Sequence, residues 1–132
     1  MNRKQPALPL PTDAEIDILA VLWRIGPATV REVHEALGKE SGYTTTLKQM
    51  QLMLDKGLLV RSERFRSHVY EPGVPQEQTQ KQIAADLLKR AFNGSAKNLL
   101  LGALSAQPAS GEELAEIRRM LDKFAKEKGR SK

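Results

Sequence analysis

Apolar residues recur at helical spacing in six stretches of the chain, and one region between them reads as a pair of short strands. Thr12, with Glu15 three residues on, forms a capping box ahead of Ile16, Leu19, Ala20 and Trp23. Val21 and Leu22 broaden that stripe, which predicts a first helix from about Asp13 to Arg24 with Trp23 in the core. Gly26-Pro27 breaks the chain. Thr29 and Glu32 make a second capping box, and Val30, Val33 and Leu37 give a narrow apolar face that ends before Gly38. Residues 38 to 42, Gly-Lys-Glu-Ser-Gly, turn the chain into a third helix from about Thr44 to Lys56. There Met50, Met53 and Leu54 share one face, while Thr44, Lys48, Gln51 and Asp55 fall on the other. Thr46 is polar at an inward position and is expected to be buried and bonded to backbone. Gly57 suits the left-handed residue that follows a helix end. Leu58 to Glu63 and His68 to Glu71 read as two strands, with Arg64, Phe65, Arg66 and Ser67 as the tip between them.

The stretch Glu71-Pro72-Gly73-Val74-Pro75 marks a boundary. Residues 1–73 form one predicted domain, with 1–11, which hold three prolines and no periodicity, as a flexible arm. Residues 74–132 form a second, made of three helices. The first runs from about Gln76 to Phe92, with Ile83, Leu87, Leu88, Ala91 and Phe92 on its apolar side, and Asn93-Gly94 stops it. Ser95 caps the next, where Leu99, Leu100, Leu101 and Leu104 are crowded. Gln107-Pro108-Ala109 separates it from the last, which Ser110 caps with Glu113 in the box position. Its Leu114, Ile117, Leu121 and Phe124 follow at spacings of 3, 4 and 3, which is the seam of a coiled coil. So small a helical unit cannot easily bury all that leucine alone. The expectation is a dimerisation element; the alternative is a monomer whose second half folds back on the first. The predicted fold class is mainly α with a small β-hairpin, a winged helix-turn-helix followed by a helical dimerisation domain.

Charge changes this picture less than its total suggests. The net charge is +5 with a pI of about 9.6, which favours a polyanionic partner. Residues 1–73, however, hold ten Lys and Arg against nine Asp and Glu, while 74–132 hold eleven against seven, with much of the excess in the last ten residues. A basic end of this kind is commonly a solvated terminus. The local signal is stronger: Arg61, Arg64 and Arg66 stand within six residues against Glu63 alone. The absence of cysteine excludes disulfides, thiolate metal sites and cysteine nucleophiles. No apolar run approaches the ~20 residues of a membrane span, and the basic start has no apolar segment behind it, so a cytoplasmic protein is expected.

A short helix with a threonine-rich start, a polar outer face and an arginine-tipped hairpin behind it points to double-stranded DNA as partner, with the helix entering the major groove by its first turns. Thr44, Thr45, Lys48 and Gln51 are the candidate groove residues, since threonine offers a hydroxyl to base or phosphate and a methyl to thymine. The competing role for the threonines is N-capping, which one of them is expected to take. Leu47 and Leu52 flank this face and suit either DNA or core. Arg64 and Arg66 are candidates for phosphate or minor-groove contacts. Thr29 and Val30 open a helix whose free amides suit a phosphate. Tyr43 reads equally as a phosphate donor or as a cap on the core. His34 shares no ligand spacing with a second His or carboxylate, so a surface or packing role is expected and no metal or other cofactor is. Ser41, Ser67 and His68 lack a base and orienter set, and no glycine-rich phosphate loop is present, so an enzyme with a small-molecule substrate is not expected. The alternative is a winged-helix adaptor that binds protein without specific DNA binding; salt sensitivity separates the two.

Several motifs together carry a resemblance. They are Thr-Asp-Ala-Glu at 12–15, Leu-Trp at 22–23, Gly-Pro-Ala-Thr-Val at 26–30, Gly-Tyr-Thr-Thr-Thr-Leu-Lys at 42–48, Lys-Gly-Leu-Leu at 56–59 and Arg-Ser-His-Val-Tyr at 66–70. From about residue 11 to 125 the chain resembles the penicillinase-repressor family (BlaI/MecI type). The resemblance implies a homodimeric winged-helix repressor that binds palindromic promoter operators of resistance-type genes. It also implies a membrane sensor protease as a partner, relieving repression by cleavage in the dimerisation region. The family's cleavage point is an Asn-Phe pair after a leucine-rich run. The matching position here, after Leu99-Leu100-Leu101, reads Gly102-Ala103. Copper-responsive relatives carry a cysteine pattern that this chain lacks.

Overall fold

The computed structural model describes residues 9–38 and 42–131. Residues 1–8 of the expected arm, and Lys39, Glu40 and Ser41 of the turn before the third helix, lie outside the described residues. The elements are α1 (Asp13–Ile25), α2 (Val30–Leu37), α3 (Tyr43–Lys56), β1 (Leu59–Arg64), β2 (Ser67–Pro72), α4 (Gln76–Ala91), α5 (Ala96–Ala106) and α6 (Gly111–Ser131). Backbone contacts divide the chain into two compact units that meet within α4, between Asp86 and Leu87. The proline–glycine stretch is the connection from β2 into α4. No helix among the described residues is long and apolar enough to cross a membrane.

The first unit is a winged helix. Both capping boxes form as the sequence predicts: Glu15 N–H donates to Thr12 Oγ1 (3.2 Å) and Glu32 N–H to Thr29 Oγ1 (3.1 Å). The Thr12 and Thr29 amides donate back to the Glu15 and Glu32 carboxylates. Two orphan amides at each start are thereby satisfied. The core joins Ile18, Leu19 and Leu22 of α1, Val30 and Val33 of α2, Met50 and Met53 of α3, and Leu58, Leu59 and Tyr70 from the hairpin side. The buried face of α1 is therefore turned from the expected stripe. Ala20 is exposed, Ile16 half-buried, and Trp23 packs on the edge of the core, its Nε1 buried without a hydrogen-bond partner among the described residues. Glu15, Ile18, Leu19 and Leu22 follow i, i+3, i+4 and i+7, and that row lies on the core.

The hairpin pairs Leu59 with Pro72 through Arg64 with Ser67 in antiparallel register. This leaves Phe65 and Arg66 alone as the loop, where a longer tip was expected. Tyr70, opposite Arg61 in the hairpin, turns both its backbone groups to the far side: Ala28 N–H donates to Tyr70 O (3.0 Å) and Tyr70 N–H to Ala28 O (2.8 Å). The segment before α2 thus makes a third, one-residue rung on the wing. Gly73 follows the hairpin and closes it against the end of α3. Its N–H donates to Leu58 O at 2.8 Å, and a Cβ placed on it would lie 2.7 Å from the Gly57 carbonyl oxygen.

The second unit holds the end of α4, then α5 and α6. Ser95 and Ser110 cap α5 and α6 as expected, each accepting from the third residue on (Asn98 N–H and Glu113 N–H, both 3.0 Å). No described side chain from Leu87 onward is fully enclosed. Leu101, Leu114, Met120, Leu121 and Phe124 are all exposed.

Candidate nucleic-acid interface

The α3 helix separates core from surface cleanly. At about 100° per residue, Thr44, Lys48, Gln51 and Asp55 fall within an arc of roughly 60°, opposite Thr46, Met50 and Met53. The first four are exposed and the last three enclosed. Thr45 lies on one flank of the exposed stripe, beside the Ala14, Asp17 and Ile18 side of α1. Tyr43 lies on the other, toward α2 and β2. Leu47 packs against the core, whereas Leu52 is exposed on the Thr45 flank.

The start of α3 differs from the expectation. The helix begins at Tyr43, its N-cap is Gly42, and among the described residues no side chain caps it. No threonine is spent there, and Thr44 and Thr45 are exposed. The first turn holds no acidic residue. Its leading amides and the positive end of the helix dipole therefore stay open to an anion. Thr46 is buried, as expected, but its partner is a side chain: Thr46 Oγ1 lies 2.9 Å from His34 Nδ1. That bond ties α2 to α3, the helix-turn-helix pair. It gives His34 the packing role that its isolation from other ligands suggested. Among the described residues, no group of three His, Asp or Glu side chains is placed to hold a metal ion.

Tyr43 is held by α2. Its ring lies edge-on to His34, with centroids 6.0 Å apart, and the Arg31 guanidinium sits 4.9 Å from its centroid. A concavity of about 360 Å³ opens beside it, lined by Thr29, Arg31, Tyr43, Ser67 and His68 among others. Hydroxyls, a guanidinium and an imidazole around one recess suit a phosphate oxygen. Arg31, Ser67 and His68 were not singled out for this from sequence. The signal for Arg31 was its spacing of three from His34, which puts both on one face of α2. At the start of α2 the Thr29 oxygen and the Glu32 carboxylate are occupied in capping, so what remains there are the amides of Val30 and Arg31.

Of the two wing arginines, Arg64 ends β1 and Arg66 lies in the loop itself. Arg64 Nη2 lies 4.0 Å from Glu32 Oε1, with both side chains about half exposed. A surface pair of this kind contributes about 0–1 kcal/mol, so it holds the guanidinium only weakly. Phe65 and Arg66 take φ of +51° and +69°, the type I′ arrangement of a two-residue hairpin loop. Glycine and asparagine favour those positions, while a Phe and an Arg there cost about 1–2 kcal/mol each. The Phe65 side chain is 93% exposed.

The candidate dimerisation residues lie along α4, α5 and α6. Ile83, Leu88, Leu99, Leu100 and Ile117 are half-buried, while Leu87, Leu114, Leu121 and Phe124 are exposed. Gly102 and Ala103 sit inside α5, in regular helix.

These features converge with the comparisons to known proteins. The profile of the penicillinase repressor family matches residues 11–123. The penicillinase repressor of Bacillus licheniformis is 27% identical over 123 residues, which cover 92% of this chain and 96% of that protein. The transcriptional regulator BlaI of Mycobacterium tuberculosis is 30% identical over 92 residues, 67% of each chain. The chain belongs to the penicillinase repressor family, whose members are transcriptional regulators and not enzymes.

Proposed function

We propose that this repressor acts in the cytoplasm as a homodimer on a two-fold-symmetric operator of a penicillinase-type, antibiotic-resistance operon. Each first unit reads one half-site. The observation that carries the proposal is the exposed row Thr44, Lys48 and Gln51 on α3, opposite the core and running from an uncapped, acid-free helix start. Thr44, Thr45, Lys48 and Gln51 face the base edges. Asp55 at the far end of the row limits groove contact to the first turns, since a carboxylate is repelled by phosphate. Tyr43 with Arg31, and the α2 start at Thr29, hold one phosphate strand, and Arg64 and Arg66 hold the other from the wing. These contacts set the register in which the α3 residues read sequence.

The second unit joins two heads. Its Leu87, Leu88, Leu99, Leu100, Leu114, Ile117, Leu121 and Phe124, with Ile83 earlier on α4, supply the interface, and the lack of any enclosed side chain among the described residues from Leu87 onward supports an apolar partner surface there. Two linked heads gain affinity through effective concentration, on the order of 10²- to 10⁴-fold. Release then needs only the loss of the joint. Gly102–Ala103 lies in a formed helix, so a membrane sensor protease would reach that bond only after α5 opens.

The test is a titration of the protein against fragments of its own upstream region at low and moderate salt, with random DNA as competitor. Specific retention that weakens steeply with salt, with a two-fold footprint, is the expected result. Equal retention of random DNA at every salt concentration overturns the proposal.

A further inference from the structure

The wing tip presents a residue that neither packing nor local geometry accounts for. Phe65 is 93% exposed and adopts φ +51°, and Arg66 beside it adopts φ +69°. A bulky residue at positive φ is a true outlier, and asparagine or glycine would relieve it. Buried packing does not hold the ring there, and no fold requirement favours phenylalanine over asparagine at a solvent-facing loop. Strain retained with an exposed apolar side chain is a mark of function. The neighbours in sequence supply the charge complement: Arg64 precedes Phe65 and Arg66 follows it, and Arg61 lies three residues before Arg64 on β1.

We infer that Phe65 is an apolar wedge that enters the DNA minor groove at the edge of each half-site, beside the phosphate strand held by Arg64 and Arg66. The inference rests on the operator-binding reading above and names a specificity residue within it. Apolar side chains inserted from the minor-groove side are an established way of reading shape. The groove floor there differs between base pairs chiefly by the guanine 2-amino group, which projects into it. Phe65 therefore selects A·T over G·C at the steps facing the wing, without forming a hydrogen bond.

The experiment uses the full chain, its footprinted operator, and operator variants at the wing-facing steps. For the wild type, G·C pairs there weaken binding, and inosine·C pairs, which lack the 2-amino group, restore it. Phe65→Ala binds the A·T operator about tenfold more weakly with an unchanged salt slope and no longer distinguishes G·C from inosine·C. Phe65→Asn, which leaves Arg66 in place, raises the melting temperature, which shows the fold intact, and loses the same discrimination. If wild type binds its operator and Phe65→Ala keeps both affinity and discrimination, the wedge is overturned while the repressor reading stands. If wild type prefers no upstream DNA over random DNA, the repressor reading falls and the wedge with it.

Discussion

Lys56 Nζ donates to Glu15 Oε2 at 2.5 Å, joining the end of α3 to the start of α1 across 41 positions of sequence. Glu15 is 1% exposed and also closes the α1 capping box. Burial alone would raise its pKa. The Lys56 hydrogen bond, the Thr12 amide and the Lys56 charge outweigh burial and hold it below the ordinary 4.5. A carboxyl whose folded pKa is depressed lends stability above its unfolded value and loses it as pH falls through the folded one. Unfolding free energy of the wild type should therefore drop as pH is taken below about 4.5. In Glu15→Gln that slope should flatten and stability at neutral pH should fall by about 1.5–3 kcal/mol. Urea titrations of both proteins across this range check it.

Two glycines should respond to alanine with opposite signs. A Cβ on Gly73 would stand 2.7 Å from the Gly57 carbonyl oxygen, backbone that cannot give way. Gly73→Ala should cost about 1–3 kcal/mol through overpacking. A Cβ on Gly102 meets only the Phe92 ring at 3.8 Å, an ordinary contact, inside α5. Gly102→Ala should gain about 0.5–1 kcal/mol from helix propensity. Thermal unfolding of the two variants reads both.

Groove and wing residues should separate in kind. Lys48→Ala and Thr45→Ala should change which operator bases are preferred, at about 1–3 kcal/mol per altered base contact. Arg64→Ala should weaken all DNA alike and lower the slope of log affinity against log salt by about 0.9. Equal loss across sequences from both kinds of variant would show the roles to be misassigned.

The seam on α6 should govern assembly. Leu121 and Phe124 are 52% and 65% exposed in the single chain. Leu121→Asp with Phe124→Asp should yield a folded monomer by sedimentation, with operator affinity reduced on the order of 10²- to 10⁴-fold. A double variant that still sediments as a dimer would place the interface elsewhere.

Much of this architecture was legible in the sequence because the signals are local. Thr12–Glu15, Thr29–Glu32, Ser95 and Ser110 each mark a helix start within four residues. The polar row on α3 follows from its period. What stayed hidden is carried by distance. The bond from His34 to Thr46, the pair from Glu15 to Lys56 and the rung from Ala28 to Tyr70 join residues with no periodic relation. The rotation of the α1 face was missed because Trp23 outweighs Ile18 by size, although its polar Nε1 makes full burial costly. The loop at Phe65 was hidden for another reason: a two-residue turn asks for Asn-Gly, and this chain places Phe-Arg there.

The Ala28–Tyr70 rung has one more consequence. With Tyr70 paired in register with Arg61 of β1 on one side and hydrogen-bonded to the lead-in of α2 on the other, the wing and the helix-turn-helix form a single caliper whose jaw opening is set before any ligand arrives. Little conformational freedom of the backbone is then left to lose on docking. On the proposed dimeric operator complex, spacing along the duplex would be measured by a rigid gauge, and adjustment between half-sites would fall to the joint between protomers.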